Sequence, residues 1–282
     1  MAPSPAPEVR SAPTQATPRA SAPARTVWLV VEGHWLWYRR HWRSSAVSSV
    51  LQPLLALVAF GVFFGRLAQG GAGLDAVTGG APYLEYLTPA LLCAAALQVA
   101  ATESSFPVFA GFQWHKSYEG ITATPVTPAQ LATGQLSWVG LRVLFSGAVF
   151  LAVAAAFGGV RSWGVVASLA VAVLTGVSFA APVAAMAASL RRDGQAFNIL
   201  FRFVVVPMTL FAGTFFPIER LPGWAQVVAV ATPLWHGTQL ARGAALGTGQ
   251  VGASLGHLAY LLLWAAVSLA LARWRFTVRL RR

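Results

Sequence analysis

Six stretches of this chain run for about twenty residues with almost no charge, and that pattern decides most of what it can fold into. They cover residues 46–65, 84–103, 136–158, 163–189, 197–216 and 254–273. A helix rises 1.5 Å per residue, so each run suits a hydrocarbon core about 30 Å thick. Charged residues make up 10% of the 282, against about 25% in soluble domains. The sequence predicts an all-α integral membrane protein with six transmembrane helices.

A formal charge of +12 suggests a nucleic-acid binder at first sight. The placement of the cations excludes nucleic acid as a partner, because most arginines flank apolar runs, as cytoplasmic loop charges do. With the N-terminus inside, sixteen of the 20 Lys and Arg residues fall on the cytoplasmic side. The outer side holds Arg66, Arg161, Arg220 and Arg242. This asymmetry places both termini in the cytoplasm. Residues 1–25, rich in Pro, Ala and Ser, are expected to be a disordered tail. They lack the apolar segment of a signal peptide. Residues 26–282 form one transmembrane domain.

Residues 26–43, TVWLVVEGHWLWYRRHWR, place Trp28, Val31, Trp35, Tyr38 and Trp42 on one stripe at 100° per residue. Glu32, Arg39 and Arg43 share a neighbouring stripe. That is the pattern of an amphipathic helix lying in the bilayer interface and contacting membrane lipid. The same stripe also suits packing against another helix.

Between the fifth and sixth runs stands GTFFPIERLPGWAQVVAVATPLWHGTQLARGAAL, residues 213–246. As a seventh span it would put the arginine-rich tail outside and bury Pro233, His236, Gln239 and Arg242 in hydrocarbon. An ordinary loop gives no reason for Val227, Val228, Val230, Leu234, Trp235 and Leu240 to cluster. The intermediate solution is a re-entrant helical hairpin on the outer side, which is tolerated where protein covers it or where it lines a cavity. Such an element suits a gate over a transport path. Phe216, Pro217, Glu219 and Arg220 set the turn into it, and Pro233 and His236 lie within it. Glu219 and Arg220 also suit a plain solvated turn pair.

Several chemistries are missing. The single lysine, Lys116, follows His115, so there is no GxxxxGK[ST] phosphate loop. The five histidines are scattered, with no HExxH and no metal set. The lone Cys93 excludes CxxC sites. No carboxylate sits at the centre of a span, which disfavours ion coupling. Glu85, Glu103, Arg142 and Arg202 lie near predicted ends, where side chains snorkel. Gln52, Gln98 and Asn198 suit either interhelical hydrogen bonds or a substrate path. A transporter without an energy source of its own implies a partner that hydrolyses ATP, with ATP and Mg held there and no cofactor in this chain.

The inside segment SSFPVFAGFQWHKSYEGITATPVTPAQL, residues 104–131, interleaves aromatics with Lys116 and Glu119. Thr127-Pro128-Ala129-Gln130 predicts a helix start with a capping box, so the third span begins well inside the cytoplasm. The aromatics either dock a soluble partner or anchor the segment to the inner leaflet.

Four stretches resemble the ABC-2 type permeases, the membrane halves of ATP-driven exporters: WYRRHWRSSAVSSVLQPLLALVAFGVFFG, YLEYLTPALLCAAALQVAATESSFPVF, SYEGITATPVTP and LFAGTFFPIERLPGWAQVVAVATPLWHGTQLAR. The nearest likeness is to the nodulation lipo-oligosaccharide exporter and daunorubicin-resistance branch. The resemblance implies a bacterial inner-membrane subunit that pairs as a homodimer or heterodimer of permeases. It implies export of an amphipathic drug or a lipid-linked or oligosaccharide substrate, and a cytoplasmic ABC ATPase docked on the segment between spans two and three. On that reading Trp114, Tyr118, Glu119, Gly120, Thr124 and Pro125 carry the coupling to the ATPase. None of these residues is catalytic. A membrane glycosyl or acyl transferase would need acids or histidines clustered on one face, and here the acids are dispersed. A passive scaffold would need neither the hairpin nor the aromatic inner segment.

Overall fold

The structure is a computed structural model that describes residues 23–56, 58, 59, 80–160, 162–191, 193–215 and 217–281. Among these residues every regular element is helical, with no strand. The helices are α1 (Pro23–Ala56), α2 (Tyr83–Ser104), α3 (Phe106–Gln113), α4 (Ser117–Thr122), α5 (Pro128–Ala156) and α6 (Gly164–Ser189). They are followed by α7 (Gln195–Phe211), then α8 (Gly223–Val230), α9 (Pro233–Leu246) and α10 (Val251–Leu280).

Among the described residues, four helical stretches are long and apolar enough to cross a membrane: Tyr83–Gln113, Pro128–Ala156, Gly164–Ser189 and Val251–Leu280. They correspond to the second, third, fourth and sixth runs of the sequence. The fifth run gives a shorter apolar helix, Gln195–Phe211. Its 17 residues rise about 25 Å, and a turn of π-helix over Phe201–Val205 interrupts it just before Pro207. Pro207 has no N–H to give to the ladder, which is a standing cause of such irregularity. The first run, 46–65, continues α1 as far as Ala56, while its residues 57 and 60–65 lie outside the described residues, as does the tail up to residue 22.

Capping explains why α5 starts before its apolar run. Gln130 N donates to Thr127 Oγ1 at 3.3 Å, and Thr127 N donates back to Gln130 Oε1 at 2.9 Å. This is the expected capping box, with Pro128 in the first turn. At the other end of the chain, the arginines beyond 273 do not stop the helix. α10 continues to Leu280, with Arg273 bonded to Thr133 of α5 and Arg279 to Leu190 O in the α6–α7 connection.

The bundle is built around α6, which packs against α2, α5, α9 and α10. Its buried face is almost all small: Ala180, Ala181, Ala184, Ala185, Ala187 and Ala188. Small residues let backbones approach, which is how helices associate without a hydrophobic drive between them. Some buried hydroxyls bond within their own helix, as Thr88 Oγ1 to Leu84 O at 2.7 Å and Thr175 Oγ1 to Val171 O at 2.8 Å, while others reach a neighbouring helix. The outward faces carry large apolar residues, among them Leu144 and Phe145 on α5 and Leu262, Leu263 and Val267 on α10. An apolar outside around an alanine-rich inside is the arrangement of a multi-pass membrane protein.

The aromatic stripe of α1 divides. Val31 and Tyr38 are buried against Trp138 of α5, while Trp28 and Trp35 stay exposed. The side chain of Trp42 lies outside the described residues. α1 crosses α5 at Gly134, where a Cβ would come within 2.6 Å of Val30 Cβ.

Candidate functional site

The inner segment is folded tightly onto the bundle. α2 ends at Ser104, the chain bends at Ser105, and α3 runs to Gln113. Lys116 takes a left-handed φ of 49° and starts the short α4. Tyr118 faces inward: its ring meets Phe112 at 4.8 Å and Phe276 of α10 at 5.9 Å. Its hydroxyl donates to Gln135 Oε1 of α5 at 3.1 Å. Gly111 lies under that ring, where a Cβ would stand 2.7 Å from the ring carbons. Of the predicted coupling residues, then, Tyr118 fixes position and presents no surface. Trp114, Glu119, Gly120, Thr124 and Pro125 are exposed, Trp114 at 66%. The indole of Trp114 rests edge-on against Phe109 at 5.7 Å.

The segment is tied to neighbouring helices from below. Gln113 Nε2 donates to Arg191 O at 2.6 Å, and Arg279 donates to Leu190 O at 3.0 Å. Arg142 departs from the snorkelling expected of it. It is buried on α5 and pairs with Glu103 of α2 at 2.9 Å, with its guanidinium 4.3 Å from the centre of the Tyr38 ring. Burial in that pocket joins α1, α2 and α5.

On the other side of the bundle stand α8 and α9, two short helices joined at Ala231 and Thr232. Thr232 caps α9, its Oγ1 accepting from Trp235 N at 3.3 Å, with Pro233 at the first helical position. Gly247, at φ 69°, closes the helix in the left-handed region. Pro217 precedes a short 3₁₀ turn over Ile218–Arg220, which leaves Glu219 and Arg220 exposed. Phe216 lies outside the described residues.

α9 is sunk into the bundle. Gly237 touches Thr175 of α6 so closely that no side chain fits. Ser168 of α6 donates to Ala241 O at 2.7 Å, and Ser162 donates to Ala245 O at 2.7 Å. α8 instead exposes Trp224, Val227 and Val228.

Buried polar side chains anchor α9: Thr238 donates to Ala212 O at 3.3 Å, and Arg242 and His236 add their own contacts. Arg242, 7% exposed, donates to Tyr86 O at 3.3 Å, Gly213 O at 3.1 Å and Thr214 O at 3.4 Å. Its guanidinium lies 3.8 Å from the centre of the Tyr86 ring. The cation thereby joins α9 to α2 and to the chain leaving α7. His236 Nε2 stands 3.0 Å from Val230 O and its Nδ1 stands 2.9 Å from His257 Nδ1. A carbonyl only accepts, so Nε2 carries the hydrogen and His257 Nδ1–H donates to His236 Nδ1. Tyr260 stacks on His236 at 3.8 Å and donates to Ala231 O at 2.7 Å. Burial, then the adjacent His257, push His236 down to about 4, and this keeps the ring neutral as the geometry requires.

Sequence reasoning picked out Pro233 and His236 but missed Arg242, His257 and Tyr260 as their supports. The available signal was the cost of an arginine in apolar surroundings. A buried one must be fully partnered, and carbonyls at the end of α7 are such partners. Among the described residues no group of three His, Cys, Asp or Glu side chains could hold a metal ion.

An apolar helical bundle with an exposed aromatic segment at one end and a pair of short packed helices at the other is the frame of a multi-pass membrane protein. The chain matches the ABC-2 type transporter family over residues 25–246 and belongs to it. Among its relatives is nodulation protein J of Sinorhizobium fredii, 29% identical over 240 residues, covering 82% of this chain and 87% of the relative. Nodulation protein J of Rhizobium meliloti is 29% identical over 241 residues, with the same coverage. That of Bradyrhizobium diazoefficiens is 28% identical over 249 residues, 85% of this chain and 92% of the relative. No solved structure matches the chain.

Proposed function

We propose that the chain is the permease subunit of an ATP-driven exporter. It crosses the inner membrane of a bacterium six times, with both termini in the cytoplasm. Residues 26–43 lie along the interface, and α8–α9 form a re-entrant gate on the outer side. Two permeases pair, and a separate cytoplasmic ATPase holds ATP and Mg. The substrate is an amphipathic drug or a lipid-linked oligosaccharide.

The observation that carries this reading is the surface of the inner segment. Trp114, Glu119, Gly120, Thr124 and Pro125 stand exposed on a base made rigid by Tyr118, Phe112 and Phe276. A large aromatic held out on a rigid base is what interface centres are made of. The sequence has no phosphate loop of its own, so the energy has to arrive across such a surface. Support for orientation comes from the arginines of α10 beyond residue 273, which follow the positive-inside rule.

Co-expression with the ATP-binding subunit encoded beside it, followed by affinity capture, tests the reading. Capture is expected with the parent chain and lost, by about tenfold or more in affinity, with Trp114→Ala combined with Glu119→Arg. Equal capture by both, or no nucleotide hydrolysis in the captured complex, would overturn it.

A further inference from the structure

The geometry points to α10 as a connecting rod that couples the inner segment to the outer hairpin, with Phe276 and His257 as its two bearings. This rests on reading the inner segment as the ATPase dock and the hairpin as the gate.

Among the described residues, three helices besides its hairpin partner α8 pack against α9: α2, α6 and α10. Each also reaches the inner segment, but not in the same manner. α2 carries Pro89 within it and is separated from α3 by the bend at Ser105. α6 carries Pro182. α10 has no proline anywhere, and no glycine after Gly256. A helix interrupted by proline bends there, whereas an uninterrupted one transmits displacement along its length.

At its inner end, α10 inserts Phe276, fully buried, between two members of the inner segment. The ring meets Phe112 of α3 at 4.9 Å and Tyr118 of α4 at 5.9 Å. Arg279 adds a bond to the α6–α7 connection. At its outer end, His257 and Tyr260 hold the α8–α9 junction through His236 and Ala231 O. The two bearings are nineteen residues apart in one helix, about 28 Å along its axis. Between them α10 lies packed along α6, with Leu261, Ser268 and Ala272 buried and Ser178 of α6 donating to Leu261 O at 3.3 Å, while its outer flank stays exposed. Unbroken by proline, such a helix moves as one piece and carries its packing against α6 with it. A displacement of α3–α4 therefore reaches the hairpin through one rigid element.

Hydrogen exchange of the full chain in lipid nanodiscs tests this, read on peptides of α9 with α6 as internal reference. Phe276→Ala is expected to speed exchange in α9 by roughly two- to thirty-fold, the size of coupling that remote packing changes produce. α6 stays unchanged, and Phe276→Leu gives back most of the protection. In a His257→Ala background, Phe276→Ala should add nothing. Phe197→Ala serves as a control, because it empties an equally buried site that meets Phe106 and Phe109. It should leave α9 unaffected. If Phe276→Ala does not fold, Phe276→Leu against the parent gives the same comparison at smaller amplitude. An unchanged α9, an effect equal to that of Phe197→Ala, or additivity with His257→Ala would overturn the rod. A second arm uses the complex with its ATPase. If nucleotide changes α9 exchange equally in the parent and in Phe276→Ala, the rod is wrong and the permease reading stands. If nucleotide changes nothing in the parent while the remote effect of Phe276→Ala persists, the rod stands and the ATP-driven reading falls.

Discussion

Replacing Arg242 by methionine should loosen the hairpin more than any surface change in it. The guanidinium supplies donors to three backbone carbonyls, two of them at 3.3 Å and 3.1 Å and the third at the longer 3.4 Å. Methionine fills similar space but donates nothing. Each buried carbonyl left unpaired costs about 1–3 kcal/mol. Loss of the stacked cation over Tyr86 adds up to about 2 kcal/mol. Against this, removing a buried charge relieves a desolvation cost of several kcal/mol. The balance is a net loss of about 2–4 kcal/mol, since the carbonyls remain buried while the charge is gone. For a domain of this size, that lowers Tm by roughly 5–10 °C. Arg242→Lys keeps the charge but loses the planar fork, and should fall between the two. Intrinsic fluorescence suits the measurement, because the chain has 11 tryptophans, one of them, Trp235, on α9 itself. A methionine variant as stable as the parent would mean that desolvation outweighs the three bonds, and that Arg242 is not what seats α9.

Thr127→Ala removes the capping box of α5 and should cost about 1 kcal/mol, with Thr127→Ser near the parent, both read by thermal unfolding. Tyr118→Phe leaves the buried Gln135 amide oxygen without its donor and should cost about 1–2 kcal/mol in the same assay. Because Tyr118 faces inward, that change should leave affinity for the ATPase subunit unaltered, whereas Trp114→Ala weakens it at unchanged Tm. A pH series should show a dependence that His236→Gln lacks. His236 is held at about 4 when folded, and an unfolded histidine titrates near 6.5. Between those values the unfolded chain binds the extra proton, so stability falls as pH drops from about 6.5 towards 4 and is flat above. Equal pH profiles for the parent and His236→Gln would contradict the assignment.

The spans were legible to different degrees for identifiable reasons. The second and fourth runs, 84–103 and 163–189, match Tyr83–Ser104 and Gly164–Ser189 closely, because their ends coincide with sharp changes in polarity. The start of α5 was legible from Thr127 and Gln130, where a cap has a sequence signature of its own. The far end of α10 was not, since arginines that look like a stop were paired by the α6–α7 connection and by Thr133. The short α7 was read as longer because apolar character continues past Ala212, although Gly213, at φ 77°, has already turned the chain.

In the site, exposure separated what spacing could not. Trp114 and Tyr118 are four residues apart and equally aromatic, yet one lies on the surface and the other is locked under Phe276. The same holds on α1, where Trp35 and Tyr38 share a stripe and both rings meet Trp138, but only Tyr38 is buried there.

The sequence by itself determined that this chain has runs long and apolar enough to cross a bilayer, that its arginines cluster at the ends of those runs, and that it carries no phosphate loop. Those properties follow from composition and local order, which the membrane reads residue by residue. Tertiary structure alone decided that Arg242 seats the hairpin, that His236 meets His257, and that Phe276 lies under the inner segment. These contacts join residues distant along the chain, and they exist only because helices packed on alanine bring the two ends of α10 against elements that sequence order keeps apart.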